Sequence, residues 1–327
     1  MTHRRQFLQR TALGLSAGTA GLSAWAEEEF PNHALTMLVP FPPGGVADTV
    51  GRPVAEAMGR ALKQPVVVEN KGGAGGGIGM AQVAKSRADG YSLLMALSSV
   101  VVLPEADKVL KRPPMFTLEQ LKAVARFTAD PTVLVVRADS PWKTYRDFIT
   151  AVRAKPGAVS FGSSGNYGTM HVPMEQLKAA SNTFMLHVPY TGAAPAVLSL
   201  LAGQVDAVST GPSSVMQHIR AGKLRALAHW GEGRLAVLPE VPSFKELGVP
   251  ITYSQWSGLF VPAATPELVV TRLRQAAQAA AQDPRAIQAL TASGTSFQYQ
   301  DAPEFERFVQ TDARTMASVV QRIGRLE

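Results

Sequence analysis

The chain has 327 residues, 32 Lys and Arg against 25 Asp and Glu for a net charge of +7, and no cysteine. That composition excludes disulfide scaffolds and thiolate chemistry. The basic residues are spread out, without the clustered, aromatic-interleaved runs of a nucleic-acid binder.

The N-terminus carries Arg4 and Arg5 followed by Gln6, Phe7 and Leu8, then a Gly-, Ala-, Ser- and Leu-rich stretch ending in Ala24-Trp25-Ala26. A charged start, a mildly apolar middle and small residues before a cut after Ala26 make residues 1–26 an export signal. The paired arginines with the following Phe-Leu resemble a twin-arginine signal. The apolar stretch is shorter than the ~20 residues a membrane span needs, and no later segment reaches that length without charge. Cleavage leaves 29 basic against 25 acidic side chains, a net +4. A periplasmic protein that is not membrane-embedded is expected.

Apolar runs then alternate with patterns of helical period. The first set reads as strand 35–41, helix 48–62, strand 66–70, helix 79–87 and strand 91–96, a βαβαβ order that implies a parallel sheet covered by helices. A second set follows: strand-like crossing 132–137, helix 144–153, strand 159–161, helix 170–180, strand 184–189, helix 195–202, strand 205–208, helix 213–221 and strand 224–230. The chain closes with an apolar run at 256–261 and helices from Pro266, Pro284 and Pro303, prolines that suit a first helical turn. About 300 residues suffice for two domains with their own cores. Two α/β sets joined by two strands suggest such domains with a ligand cleft at the carboxyl ends of both sheets; the alternative is one large doubly wound sheet.

Between Val66-Val67-Val68 and the second helix, six glycines fall in eight positions, Gly72 to Gly79. Dinucleotide-binding spacing fails in every register, because the third glycine is replaced by Ile78, Met80 or Gln82. A P-loop fails too, since Lys71 precedes the glycines. What remains is a flexible turn into a helix start, either bare or favouring an anion.

Four junctions carry chemistry. In "VPFPPGGVADTVGRP", Gly44 and Gly45 let backbone approach a ligand, and Asp48 caps the turn or contacts ligand. Ser98 follows at the end of the third strand. In "SFGSSGNYGTMH", Ser163, Ser164, Asn166 and Thr169 offer hydroxyl, amide and backbone donors to a carboxylate without a cationic side chain. In "HVPYTGAAPA", Thr191, Gly192 and Ala193 precede a helix. Asp206 stands in an otherwise apolar strand, placed either to tie down loops or to touch ligand.

Enzyme signatures are missing. The one Gly-x-Ser-x-Gly lies in the signal, the "GSSG" at 162–165 has the wrong spacing for a nucleophile elbow, and His-Glu-x-x-His and paired-cysteine metal motifs are absent. His33, His171, His187, His218 and His229 form no close ligand pair, so neither a metal nor a cofactor is expected.

The segments "TMLVPFPPGGVADTVGRPVAEAMGRALKQPVVVENKGGAGGGIGMAQVAKSRADGYSLL", "FGSSGNYGTMH", "HVPYTGAAPAVLSLLAGQVDA", "IRAGKLRALA" and "LPEVPSFKELG", in this order, resemble the Bug, or tricarboxylate-binding-receptor, family of periplasmic solute-binding proteins. The resemblance implies an α/β, type II-like two-domain periplasmic-binding fold. Each domain would hold a mostly parallel sheet flanked by helices, one built from residues 27–132 and 256–327, the other from 133–255. It also implies a binding protein without turnover that takes a small carboxylate (a di- or tricarboxylate, an amino acid or an aromatic acid); a monomer is expected. The partners implied are the membrane subunits of a tripartite tricarboxylate transporter. A sensor kinase as partner, or an enzyme on the same scaffold, are the alternatives. Carried over by position, the site comprises Pro43, Gly44, Gly45 and Asp48, then Ser163, Ser164 and Gly165, then Thr191 and Gly192, with Asp206 matching a recurrent acid and the glycine run bordering the cleft. The chain departs from the pattern at Gly165-Asn166-Tyr167, where the family usually has Gly-x-Gly. The phenol of Tyr167 would shrink the pocket, stack on an aromatic acid or swing outward. Gly51 stands where alanine is common, and the stretch after Ser99 fits poorly.

Overall fold

The structure of the protein, a computed structural model, describes residues 30–324. The export signal expected over residues 1–26 lies outside the described residues. Two sheets form. The first is built from β1 (Leu35–Val39), β2 (Val66–Asn70), β3 (Ser92–Leu97), β4 (Leu121–Pro131), β10 (Ser254–Pro262) and the two-residue β11 (Gln300–Asp301). The second is built from β5 (Val133–Arg137), β6 (Ser160–Ser163), β7 (Leu186–Pro189), β8 (Ala207–Thr210) and β9 (Leu224–His229). Helices α1 (Val46–Leu62), α2 (Gly77–Ala84), α3 (Ser99–Val109), α8 (Glu267–Gln282), α9 (Pro284–Ser293) and α10 (Ala302–Ile323) go with the first; α4 (Tyr145–Ala154), α5 (Val172–Ser181), α6 (Ala193–Leu201) and α7 (Met216–Arg220) go with the second.

Local chemistry explains the boundaries. In α1, Val46, Val50, Val54, Met58 and Leu62 recur four apart and are all buried, which makes one apolar stripe. Each such side chain contributes about 1.5–3 kcal/mol by leaving water. The start of α4 is a capping box: Thr144 accepts from the Asp147 N–H while the Asp147 carboxylate accepts from the Thr144 N–H, so two of the helix's unpaired donors are satisfied. The α9 helix begins with Pro284 behind Asp283, whose carboxylate accepts from the Arg285 and Ala286 N–H groups, and ends at Gly294 in a left-handed conformation, as proline-first, glycine-last helices do.

The strand orders are β2-β1-β3-β10-β4-β11 and β7-β6-β8-β5-β9. Strand β1 pairs parallel with β2 and β3, whereas β10 is antiparallel to β3 and β4. Likewise β6 is parallel to β7 and β8, and β5 is antiparallel to β8 and β9. The sheets are thus mostly parallel in direction: apart from short β11, one strand in each runs backwards, and it is the strand that enters from the other sheet. The chain crosses at Thr132, and its return at Trp230 and Tyr253 lies alongside, with the Trp230 N–H donating to Thr132 O and the Tyr253 N–H to Trp230 O, both at 3.0 Å. The return strand begins two residues ahead of the expected 256, at Ser254.

The largest differences from the sequence reading fall before the crossing. Residues 99–109, left unassigned, form α3, and the strand before the crossing extends back to Leu121 as β4. One core joins the first sheet to one face of the second through Leu134, Val136, Phe161 and Phe148; a smaller one fills the other face with Val133, Val135, Val208 and residues of α6. No helix among the described residues is long and apolar enough to cross a membrane.

Candidate functional site

Because the strands share a direction, the loops after β1, β3, β6 and β8 emerge on one side, and there the two halves meet. The β1–α1 loop is organised by Asp48. Its buried carboxylate accepts from the Gly44 N–H at 3.0 Å, Arg52 Nε at 3.0 Å and Asn70 Nδ2 at 2.9 Å, and pairs with the second Arg52 nitrogen at 2.9 Å. Burial opposes its ionisation, but hydrogen bonds from Arg52, Gly44 and Asn70 and the Arg52 charge outweigh burial and hold the carboxyl below its usual range. Asp48 therefore fixes the loop that carries Gly44 and Gly45, and its oxygens are committed to that task.

Across from it lies the β6–α5 loop. Ser163 Oγ sits 2.6 Å from His187 Nε2 and accepts from the Gly165 N–H at 3.1 Å. Burial, and then the neighbouring His171, push His187 down to about 3, so a neutral imidazole anchors this serine. The halves approach at glycines. A Cβ on Gly165, whose φ is +111°, would lie 2.9 Å from the Gly75 nitrogen, and one on Gly192 would lie 2.5 Å from Pro42 Cδ. The glycine run is thus a strand-to-helix turn whose Gly75 presses on the β6–α5 loop.

Between these loops is a small void lined by Phe41, Gly45, Val46, Ala47 and Leu97 from the first half, Ser164, Thr169 and Ala193 from the second, and Gln255 of β10. Its volume is about 10 Å³, room for about one water. No charged side chain lines it. Helices α1 and α6 both begin at it, with Val46 and Ala193 as their first residues, so their unpaired N–H groups and dipoles favour an anion. Ser164, which lines it, has a buried Oγ with no hydrogen-bond partner among the described residues.

Of the residues singled out in the sequence, Gly45, Ser164, Thr169 and Ala193 line the void. Gly192 and Gly165 form the close approaches beside it. Ser98 is buried next to Leu97 and bonds Tyr253 Oη at 3.1 Å, and Ser163 stands behind the loop. Pro43, Gly44, Asn166 and Thr191 are exposed at the rim. Two stand apart. Tyr167 turns away: its side chain is buried, and its hydroxyl donates to Gly324 O at 2.6 Å. Of the three orientations open from sequence, this is the one directed away from the void. Asp206 precedes β8 rather than lying in it, and its carboxylate accepts from the Ser160 N–H at 2.8 Å and Oγ at 2.9 Å. That is the amino end of the strands, about 13 Å from the loops by the rise of a four-residue strand, so Asp206 ties β6 to β8.

Phe41, Val46, Ala47, Leu97 and Gln255 were not foreseen. The first three lie within the quoted first loop. Gln255 is the most telling: its Nε2 donates to Thr169 Oγ1 at 3.2 Å and its Oε1 accepts from the Gly211 N–H at 3.0 Å. As β10 runs antiparallel, its first residues fall at the carboxyl ends of its neighbours. Among the described residues, no group of three or more His, Asp and Glu side chains is placed to hold a metal.

A family profile described as the tripartite tricarboxylate transporter family receptor matches residues 50–325. Protein BugT of Bordetella pertussis is 33% identical over 314 residues, 95% of this chain and 96% of its own. The solved periplasmic binding protein BugD superposes with a TM-score of 0.86 at 29% identity, covering 90% of this chain and 99% of BugD. MatC from Rhodopseudomonas palustris, solved with bound malate, gives 0.82 at 28% identity, covering 89% of this chain and all of MatC. The fold is that of the periplasmic binding proteins, and the chain belongs to the tripartite tricarboxylate transporter family of receptors.

Proposed function

We propose that this protein, exported through the signal at residues 1–26, captures a small carboxylate in the periplasm and hands it to the membrane subunits of a tripartite transporter. The ligand occupies the place of the small void, between one lobe holding β1 to β4 and β10 and another holding β5 to β9. The observation that carries this reading is Ser164 Oγ, buried and unpartnered where two helices begin. A carboxylate there accepts from that hydroxyl and from backbone N–H groups, replacing water without a cationic side chain. MatC, with its malate, supports the ligand class.

The void is far below the about 300–1,000 Å³ of ordinary ligand pockets, so the lobes part to admit ligand and close on it. Closure requires only that ligand bind the closed form better. The test is a thermal-shift screen of residues 27–327 against malate, citrate, adipate, glutamate, benzoate, nicotinate and ATP. A carboxylate at a hundredfold excess over its Kd stabilises the native state by roughly 2.7 kcal/mol and raises the melting temperature. A shift with ATP alone would overturn the reading.

A further inference from the structure

Tyr167 combines three features that ligand binding as described does not use. It is a bulky residue with a left-handed backbone, φ +56°, a conformation that persists only where surroundings enforce it. Its N–H donates to His171 Nδ1 at 3.2 Å, and its hydroxyl reaches Gly324 O at 2.6 Å, 157 residues along the chain. Gly324 follows the last turn of α10, which packs chiefly on α3 and β4 of the first lobe and less extensively on α5 of the second. The loop holding Tyr167 also carries Ser164 and Thr169, two walls of the void. The hydroxyl therefore joins the ligand loop of one lobe to the terminal helix of the other.

We propose that Tyr167 is a positioning residue, a latch whose hydrogen bond to the end of α10 holds the two lobes together before ligand arrives. The inference rests on the two-lobe reading above. Gln255 also links the halves, but it lies on the return strand at the crossing and can keep its bonds through a hinge motion. The Tyr167 bond joins elements that the crossing does not tie, so it breaks when the lobes part. Losing one such bond lowers the closed-to-open ratio by about 3- to 10-fold, the usual net effect of a hydrogen bond.

The chain lacks cysteine, so Thr150→Cys on α4 and Gln278→Cys on α8, both exposed, take spin labels uniquely. Interlobe distances are measured on full-length mature protein without ligand, which makes the result independent of whether a carboxylate binds. A predominantly short distance is expected, with Tyr167→Phe shifting population to longer distances while its melting temperature stays near that of the parent. Tyr167→Gly, which adopts the left-handed backbone freely, shifts it in the same direction. A merely structural tyrosine would lower the melting temperature and leave the distances in place. Unchanged distances in Tyr167→Phe, or a parent protein already as open as that variant, would overturn the proposal.

Discussion

Replacing Ser164 by alanine should make the protein more stable and a poorer binder. Ser164 is 2% exposed and its buried hydroxyl oxygen has no partner among the described residues, a state that costs about 1–3 kcal/mol for a buried polar group. A single water in the void would meet part of that cost, which sets the lower end of the range. With an unfolding entropy of about 2.1 cal/mol/K per residue, a chain of this size shifts its melting temperature by about 1.5–2 °C per kcal/mol. Ser164→Ala should therefore melt about 2–5 °C higher without ligand. Its carboxylate affinity should fall about 10- to 150-fold, since a hydrogen bond to a charged group contributes about 1.5–3 kcal/mol. Scanning calorimetry and isothermal titration with the best carboxylate from the screen read the two effects. A lower melting temperature together with unchanged affinity would refute the reasoning, because the hydroxyl would then be serving the fold.

Other substitutions separate the loops' roles. Gly192→Ala, whose Cβ meets Pro42 at 2.5 Å, should weaken carboxylate binding more than tenfold by titration, whereas Gly45→Ala, 3.6 Å from Ala193 Cβ, should change it by a few-fold at most. Asp48→Asn should destabilise the protein by about 1–3 kcal/mol at pH 7 in urea unfolding. As the folded carboxyl titrates below its unfolded value, this contribution is present above the unfolded pKa and disappears as pH falls through the folded one, so the gap between parent and variant should close in acid. Asp206→Ala should lower stability by about 1–2 kcal/mol yet leave carboxylate affinity within twofold, a result titration can contradict directly.

Much of the architecture was legible where punctuation and period agreed. The apolar stripe of α1 and the proline-led starts of α8, α9 and α10 lie within a few residues of the sequence reading. Helix α3 was not legible because "SVVVLPEADKV" combines a valine run with an internal proline, both unfavourable to helix; packing against α10 decides it. In β4, Lys122 and Arg126 interrupt the apolar pattern, although Val124, Ala125 and Phe127 are buried. In the site, the small-residue loops could be found from their composition, since backbone donors need close approach. Gln255 could not, because the reversed direction of β10 brings it there. The direction of Tyr167 is set by its left-handed backbone and by a helix end far away in sequence, neither visible in "GNYG".

The most direct test is a crystal structure of the mature protein with the tightest-binding carboxylate from the screen. The account predicts a carboxylate oxygen within hydrogen-bonding distance of Ser164 Oγ and of backbone N–H groups at the starts of α1 and α6, with no lysine or arginine touching it. A carboxylate lodged elsewhere, or held by a cationic side chain with Ser164 still unpartnered, would contradict it.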